Sequence, residues 1–593
     1  VRFIPAIISF VLAFGMIAFG IAQRTVLLEP ANVTSTATTH SDATVTLVDS
    51  ATLQSLPGRQ KIDISGSGDV FAAYGRTEDV LAWVGNTKYN KLSYDKTKAK
   101  LVSTLVPGKA TTVPDPIGSD LWLDEFSHSK SLSFTVNVPS DITVIIASNG
   151  TRPAPAKVSV TWPLDNRTPW AGPLIVGGIL LLLAGFVLYL WALRHLRRSR
   201  GPRRKTPKMP KVPRQRSPRG RQSRARPKAG RQAAPPSGRR AARPMIAVPI
   251  LLASTLVLTG CASDLWPEFL GGAKGSTAVP VATSTPVVPG QDLQIPAVTA
   301  PQLKNIVAHI SAVATKADAD KDGTLVATRF EGAALALRLA NYGIRKADNT
   351  YAALPAIPAG TVALTLPQQS NTWPRTVFTV VQNPTDKTVA PVAMMLVQDS
   401  PRDNYKVDYA VALEAKAKLP DVAPANIGAP RLPPDSKLQL LAPAKLALAY
   451  GDVIANGTTS DQAKYFDLAK DNLIGLIGSD YRKAQIAALP STASMTFANS
   501  NGPGQVIALG SNDSGAIVAV ELDETVTVTP TEAGAAVNPE GAVKSLSGIT
   551  GSTKGTVAVY GDQLLFYVPK ASSKSKITLL GFATGLISAT EKP

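Results

Sequence analysis

The run 168-TPWAGPLIVGGILLLLAGFVLYLWALRHLRRSR-200 decides how the rest of the chain is arranged. From Thr168 to Leu193 it carries no charge, long enough as a helix to cross roughly 30 Å of hydrocarbon. Trp170 stands at one end, and Tyr189 and Trp191 at the other, where amphipathic rings favour the membrane interface. Basic residues follow at once. An excess of Lys and Arg beside a span marks its cytoplasmic side, so the span 170–193 leads inward and everything before it lies outside.

Charge over the whole chain repeats that message. Of 62 Lys and Arg among 593 residues, 20 lie between Arg194 and Arg243, with no Asp or Glu among them; elsewhere the 42 acids are balanced. A protein that coats nucleic acid is therefore excluded, because its basic charge would be spread over a folded surface. The segment 194–244 is Pro-rich and almost without large apolar side chains, so a disordered cytoplasmic loop is expected. Arg194, Arg197, Arg198, Arg200, Arg203, Arg204 and Lys205 would hold it to anionic lipid, at roughly 1 kcal/mol per cation near the surface. Nucleic acid is the weaker reading, since no aromatic residue interrupts the run to stack on bases. An acidic cytosolic protein is the third.

Outward from the decisive run lie two more apolar stretches. Phe3 to Gln23 is uncharged between Arg2 and Arg24 and reads as a signal anchor, 1–23; a cleaved signal peptide is the rival, because Gly20-Ile21-Ala22 supplies small residues for a peptidase. Met245 to Gly260 is shorter and suits the apolar region of a signal segment. It ends in Leu258-Thr259-Gly260-Cys261, which resembles the lipobox of bacterial lipoproteins; the resemblance implies diacylglycerol on Cys261 and a cut before it. Its interior position departs from that family, leaving open a plain third span or two reading frames joined at Met245. Every version runs inside, out, inside, out, at a bacterial plasma membrane, with the bilayer as first partner and an envelope protein as second. Cys261 is the sole cysteine, which excludes a disulfide framework.

The outside regions differ in period. Residues 24–169 alternate apolar and polar in ATVTLVD, KIDISGS, DVLAWVG, KLSYD, AKLVSTLV, LSFTVNV, ITVIIAS and KVSVTW, which predicts an all-β sandwich with no helix of useful length. Trp83, Trp122 and Trp162 are expected in its core. Residues 262–300, rich in Pro, Thr and Ser, read as a tether. From Leu303 the spacing turns helical, then strand-like, and both repeat after a Pro-rich joint near 423–434, giving tandem α+β units at 301–432 and 433–593. Arg345-Lys346-Ala347 with Ala352-Ala353-Leu354-Pro355 is echoed by Arg482-Lys483-Ala484 with Ala487-Ala488-Leu489-Pro490, as duplication would leave it. Helices followed by a curved antiparallel sheet resemble nuclear transport factor 2-like domains. That resemblance implies a cone in each unit and transfers no catalytic residue. With its Trp373-Pro374-Arg375 and Ser400-Pro401-Arg402-Asp403 turns, the chain is also similar to uncharacterised exported proteins of actinobacteria, a resemblance that implies no function.

Few motifs promise chemistry. Asp318, Asp320 and Asp322 with Gly323 resemble the first two thirds of an EF-hand loop, but its twelfth position is Arg329 where a bidentate carboxylate is required. A solvated acidic turn between two helices is expected, with weak calcium binding as the alternative. Glu521 and Asp523 share a strand face, which a hydrolase or mere solvation would explain. Trp373, Arg375, Asp399, Arg402 and Tyr405 are the best candidates for a ligand surface; turn residues with one ion pair are the rival. No catalytic set and no cofactor motif is found. The expectation is a membrane-anchored, non-enzymatic envelope scaffold or binding protein, with small-ligand capture (lipid, glycan or solute) in the α+β units second and an enzyme of envelope assembly a distant third.

Overall fold

A computed structural model describes residues 3–28, 30–164, 166–198, 294–415 and 417–593. The described residues fall into two compact units: those up to 33 together with 163–198, and 34–162 together with 294–593. The lipobox-like segment, the tether up to residue 293, and Arg200, Arg203, Arg204 and Lys205 lie outside the described residues.

The first unit is built on two apolar helices, α1 (Ile4–Arg24) and α4 (Ala171–Arg198), both long enough to cross a membrane. They pack antiparallel: Phe3 meets Tyr189 at 5.9 Å between ring centroids, and Gly20 lies against Ala171 and Ile175. Small residues recur every seven positions, as Ala6, Ala13 and Gly20 on α1 and as Ala171, Gly178, Gly185 and Ala192 on α4, and all are buried. A side chain at Gly178 would put its Cβ 2.9 Å from the Ala13 carbonyl oxygen, so the backbones approach as closely as glycine permits. The outward faces are apolar too, with Phe14 74% and Val187 64% exposed. Arg194 and Arg197 sit exposed on the last turns of α4.

In the second unit, residues 34–162 form a β-rich domain. Its strands are β1 (Asn32–Thr38), β2 (Val45–Asp49), β3 (Gln60–Arg76), β4 (Tyr89–Asp95), β5 (Lys100–Val106), β6 (Asp124–Val136), β7 (Ile142–Ala147) and β8 (Lys157–Pro163), with a single turn of helix, α2 (Ser50–Leu53). All eight join one sheet in the order β1-β8-β3-β7-β2-β4-β5, with β6 also on β3; β2 and β4 run parallel. The sheet is apolar on both faces. One encloses Ile62, Ala72, Val144, Ile146 and Trp162, and the alternate residues Phe71, Ala73 and Ile145 face Trp83 and Trp122.

One expected strand is a helix. Residues 79–85, DVLAWVG, lie in α3 (Thr77–Val84) and its cap, because Val80, Trp83 and Val84 bury at the i, i+3, i+4 spacing of a helical face. Glu78 and Asp79 favour the helix start, and Gly85 at φ 59° closes it. Within five residues, alternation and helical spacing could not be told apart.

Residues 294–593 contain α5 (Ala300–Asp320), α6 (Gly323–Val326), α7 (Gly332–Ala347), then β9 (Thr361–Pro367), β10 (Arg375–Gln382), β11 (Val392–Gln398) and β12 (Lys406–Leu413). The order repeats as α8 (Leu446–Asn456), α9 (Leu473–Ile477), α10 (Ser479–Ala487), β13 (Ala493–Asn501), β14 (Ile507–Gly510), β15 (Ala516–Pro530), α11 (Gly541–Ser547), β16 (Thr556–Val568) and β17 (Thr578–Glu591). The helix-then-sheet order matches expectation in each half, but the sheets are not separate. All nine strands form one sheet, in the order β13-β15-β16-β17-β12-β11-β10-β9 with β14 also on β15, joined where Ala412 and Leu413 pair with Phe582 and Gly581. The expected boundary at 432/433 therefore divides the helical layers alone. α5 and α7 cover one core with Met394 and Leu396; α8 covers another with Val518 and Phe566. A third core, with Phe378, Met395, Ile517 and Leu580, is shared by both halves. Neither half is a free-standing cone.

Candidate functional site

Four of the five residues expected to line a ligand surface in the first α+β half are engaged with the β domain. The reading of Trp373, Arg375, Arg402 and Tyr405 as a free surface is corrected: they form the floor on which residues 34–162 dock. Arg375, 1% exposed, donates from Nη2 to Asp79 Oδ1 at 2.7 Å. Asp79 also accepts at Oδ2 from Arg76 Nε at 2.8 Å, and Arg76 reaches on to the Pro296 and Ala297 carbonyls at 2.8 and 3.2 Å. The Trp373 ring stacks 3.8 Å from the Arg375 guanidinium carbon and packs into the β-domain core beside Trp83 and Trp122. Its Nε1 donates to Gln398 at 2.9 Å.

A second acid repeats the arrangement. Asp120 accepts at Oδ2 from Arg329 Nη1 at 2.5 Å and from the Tyr405 backbone N–H at 2.8 Å, while its own N–H donates to Asn404 Oδ1 at 3.0 Å. Both partners of each acid–arginine pair across the interface are buried. Arg402 completes the contact by donating to the Trp83 and Val84 carbonyls at 2.8 and 3.0 Å. Those are end carbonyls of α3, which lack partners within the helix, and a cation suits that pole. The Tyr405 hydroxyl is buried, which pushes its pKa upward. Asp399 stays exposed and takes no part in the docking.

The residues missed from sequence are those that answer these four: Arg76, Asp79, Asp120 and Arg329. Asp79 among Val80, Leu81 and Trp83, and Asp120 before Leu121-Trp122-Leu123, are charges set in apolar surroundings. That was the available signal.

The acidic turn is also spent within the protein. α5 runs on to Asp320, Lys321 closes it in the left-handed conformation at φ 53°, and Gly323 opens α6. Asp318 is not a solvated acid: it accepts from Arg338 and from the Tyr342 hydroxyl, each at 2.6 Å. Asp320 pairs with Lys316 at 2.8 Å, and Asp322 caps α6. Arg329, which breaks the calcium pattern at position twelve, is an anchor of the interface. Among the described residues no three His, Cys, Asp or Glu side chains converge as a metal site.

Two other features lie inside the α+β domain. Asp408 is buried on β12, and its carboxyl is pushed up to about 7 by burial, then by Glu331 and Glu521. Glu521 and Glu331 are both raised as well, chiefly by burial. A cavity of about 240 Å³ lies between α7 and the strands, lined by Leu337, Ile357, Val411 and Phe582 among others.

No curated protein and no solved structure matches the sequence. A family model does, under the description "Domain of unknown function (DUF8094)", over residues 294–591. That span takes in every helix and strand of the α+β domain, including the face on which the β domain docks, and the chain belongs to the DUF8094 family.

Proposed function

We propose that the chain is a membrane-anchored envelope scaffold or binding protein whose β domain and α+β domain work as one docked body outside the cell. The buried acid–arginine docking carries this reading. Domains that bury complementary charges against each other act from the same side of a bilayer. The β domain sits in sequence directly between α1 and α4, so if both span, the chain must cross once more between 198 and 294 to return. Met245–Gly260 is the apolar run available for that return. The helix pair supports the anchor over a cleaved leader, because α1 and α4 bury matching small-residue seams and leave apolar side chains outward. The basic segment 194–244 would then face anionic lipid in the cytoplasm.

Sidedness is the test. In a Cys261→Ser background, single cysteines at Ser129, Ser572 and Ser217 are probed in intact cells with a membrane-impermeant maleimide. Ser129→Cys and Ser572→Cys should label at once, and Ser217→Cys only after permeabilisation. Labelling of one domain without the other would end the docked-body reading.

Small-ligand capture is the second reading, favoured by the cavity under α7. Its apolar lining suits a short alkyl or aromatic group. Leu337→Trp would fill it, and native mass spectrometry of the purified chain should then lose a bound small molecule that the unaltered chain retains.

A further inference from the structure

We infer that the face built by Arg329, Trp373, Arg375 and Arg402 is a protein–protein interface in its own right, which binds the β domain of this chain even when no peptide links them. Three observations carry the inference. First, among the described residues no strand crosses the contact: the eight-stranded and nine-stranded sheets are separate. Second, each side owns a complete core. The central cluster of the β domain draws only on residues 37–162, and the helix-covered cluster of the first α+β half only on residues 298–410. Among the described residues, Trp373 is the single side chain that enters the apolar cluster of the other domain. Third, what remains between them has the make-up of a recognition surface, namely a Trp anchor, two arginines each met by an acid, and a third arginine met by helix-end carbonyls.

Charge complementarity sets the choice of partner. The β-domain side offers Asp79 and Asp120, and the α+β side Arg329 and Arg375, each pair closing at 2.5–2.7 Å. Arg402 adds a polarity requirement that a random acidic surface would not meet, since it needs the paired end carbonyls of a short helix. Apart, both faces are charged enough to stay in water, which fits an interface that can open and close. A cut before Cys261, as the lipobox-like segment implies, would therefore leave a two-chain complex in place of two independent proteins. The inference does not depend on the side of the membrane, so it can fail while the scaffold reading stands, and the reverse.

The test uses the full chain in detergent with a protease site inserted between Gly275 and Ser276 and a tag at the N-terminus. After cutting at micromolar concentration, the C-terminal fragment should remain on the tag resin and co-elute in gel filtration. Arg402→Glu changes a side chain exposed on its own domain and should weaken retention at least tenfold with both fragments still folded by circular dichroism. Arg329→Asp should release the fragment, and Asp120→Arg added to it should restore part of the binding. Fragments that separate on cutting at that concentration, or retention indifferent to Arg402→Glu and Arg329→Asp, would overturn the inference.

Discussion

Asp408 shows how one carboxyl can set a pH response. It is buried on β12 and faces Glu331 and Glu521, with Asp399 and Arg431 acting from further off and Lys406 held by Glu331. Among the described residues its Oδ2 has no hydrogen-bond partner. With a folded value of about 7 against an ordinary 3.8, the native state holds a proton that the unfolded chain has released. Its contribution to stability is whole below pH ~4 and is lost as pH rises through about 7, by up to roughly 4 kcal/mol for a shift of this size. Asp408→Asn should therefore melt higher than the unaltered protein at pH 8, with the difference narrowing as pH falls and closing near pH ~4, in paired thermal scans. Asp562, pushed up to about 7 chiefly by burial, should behave in the same direction. Gly332 is coupled to the same carboxyl: at φ 52° it favours glycine, and a Cβ there would fall 1.7 Å from Asp408 Oδ1.

At the scale of elements, the helix pair makes the sharpest demand. α1 and α4 meet through residues that have almost no side chain, so bulk on the seam must part the backbones. Gly178→Leu should cost about 1–3 kcal/mol of pairing. Cysteines at Ser9 and Gly185, whose Cβ positions lie 3.1 Å apart, report it in a Cys261→Ser background. They should crosslink readily with Gly178 present and slowly with Leu in its place. The seven-residue recurrence of Ala and Gly was printed in the sequence. Each apolar run by itself already explains a span, and only the pairing gives the small residues a purpose. The short α3 departs from the expected strand for a related reason: eight residues hold barely two turns, too few for a period to declare itself. The echoed motifs each start in the last helix before a strand set and run on toward its first strand: Arg345-Lys346-Ala347 closes α7 ahead of β9, and Arg482-Lys483-Ala484 lies within α10 ahead of β13.

Over the whole molecule, the docking of the β domain on the α+β domain rests on few side chains. Asp79→Ala leaves Arg375 charged and dry, a loss of about 3–5 kcal/mol, and Arg375→Ala leaves Asp79 held by Arg76 alone. Arg375→Ala and Asp79→Ala should each uncouple the domains, splitting one denaturant transition into two when followed by tryptophan fluorescence, since Trp83, Trp122 and Trp373 lie together at the contact. Arg375→Ala combined with Asp79→Ala should cost less than the sum of the single changes, because the pair then leaves together.

Local composition determined the apolar spans, the single basic segment and the positions of most strands, because solvation along a helix or strand is a property of neighbouring residues. Trp373, Arg375, Arg402 and Tyr405 were legible as unusual in the same way, by type and spacing. Their use was not, since Asp79 and Asp120 lie more than 200 positions earlier and no period connects them. The fusion of two strand sets into one nine-stranded sheet was hidden for the same reason, resting on a two-residue pairing of β12 with β17. Tertiary structure alone decided which surfaces meet, because the free energy of a buried ion pair depends on both partners and on the water removed from between them.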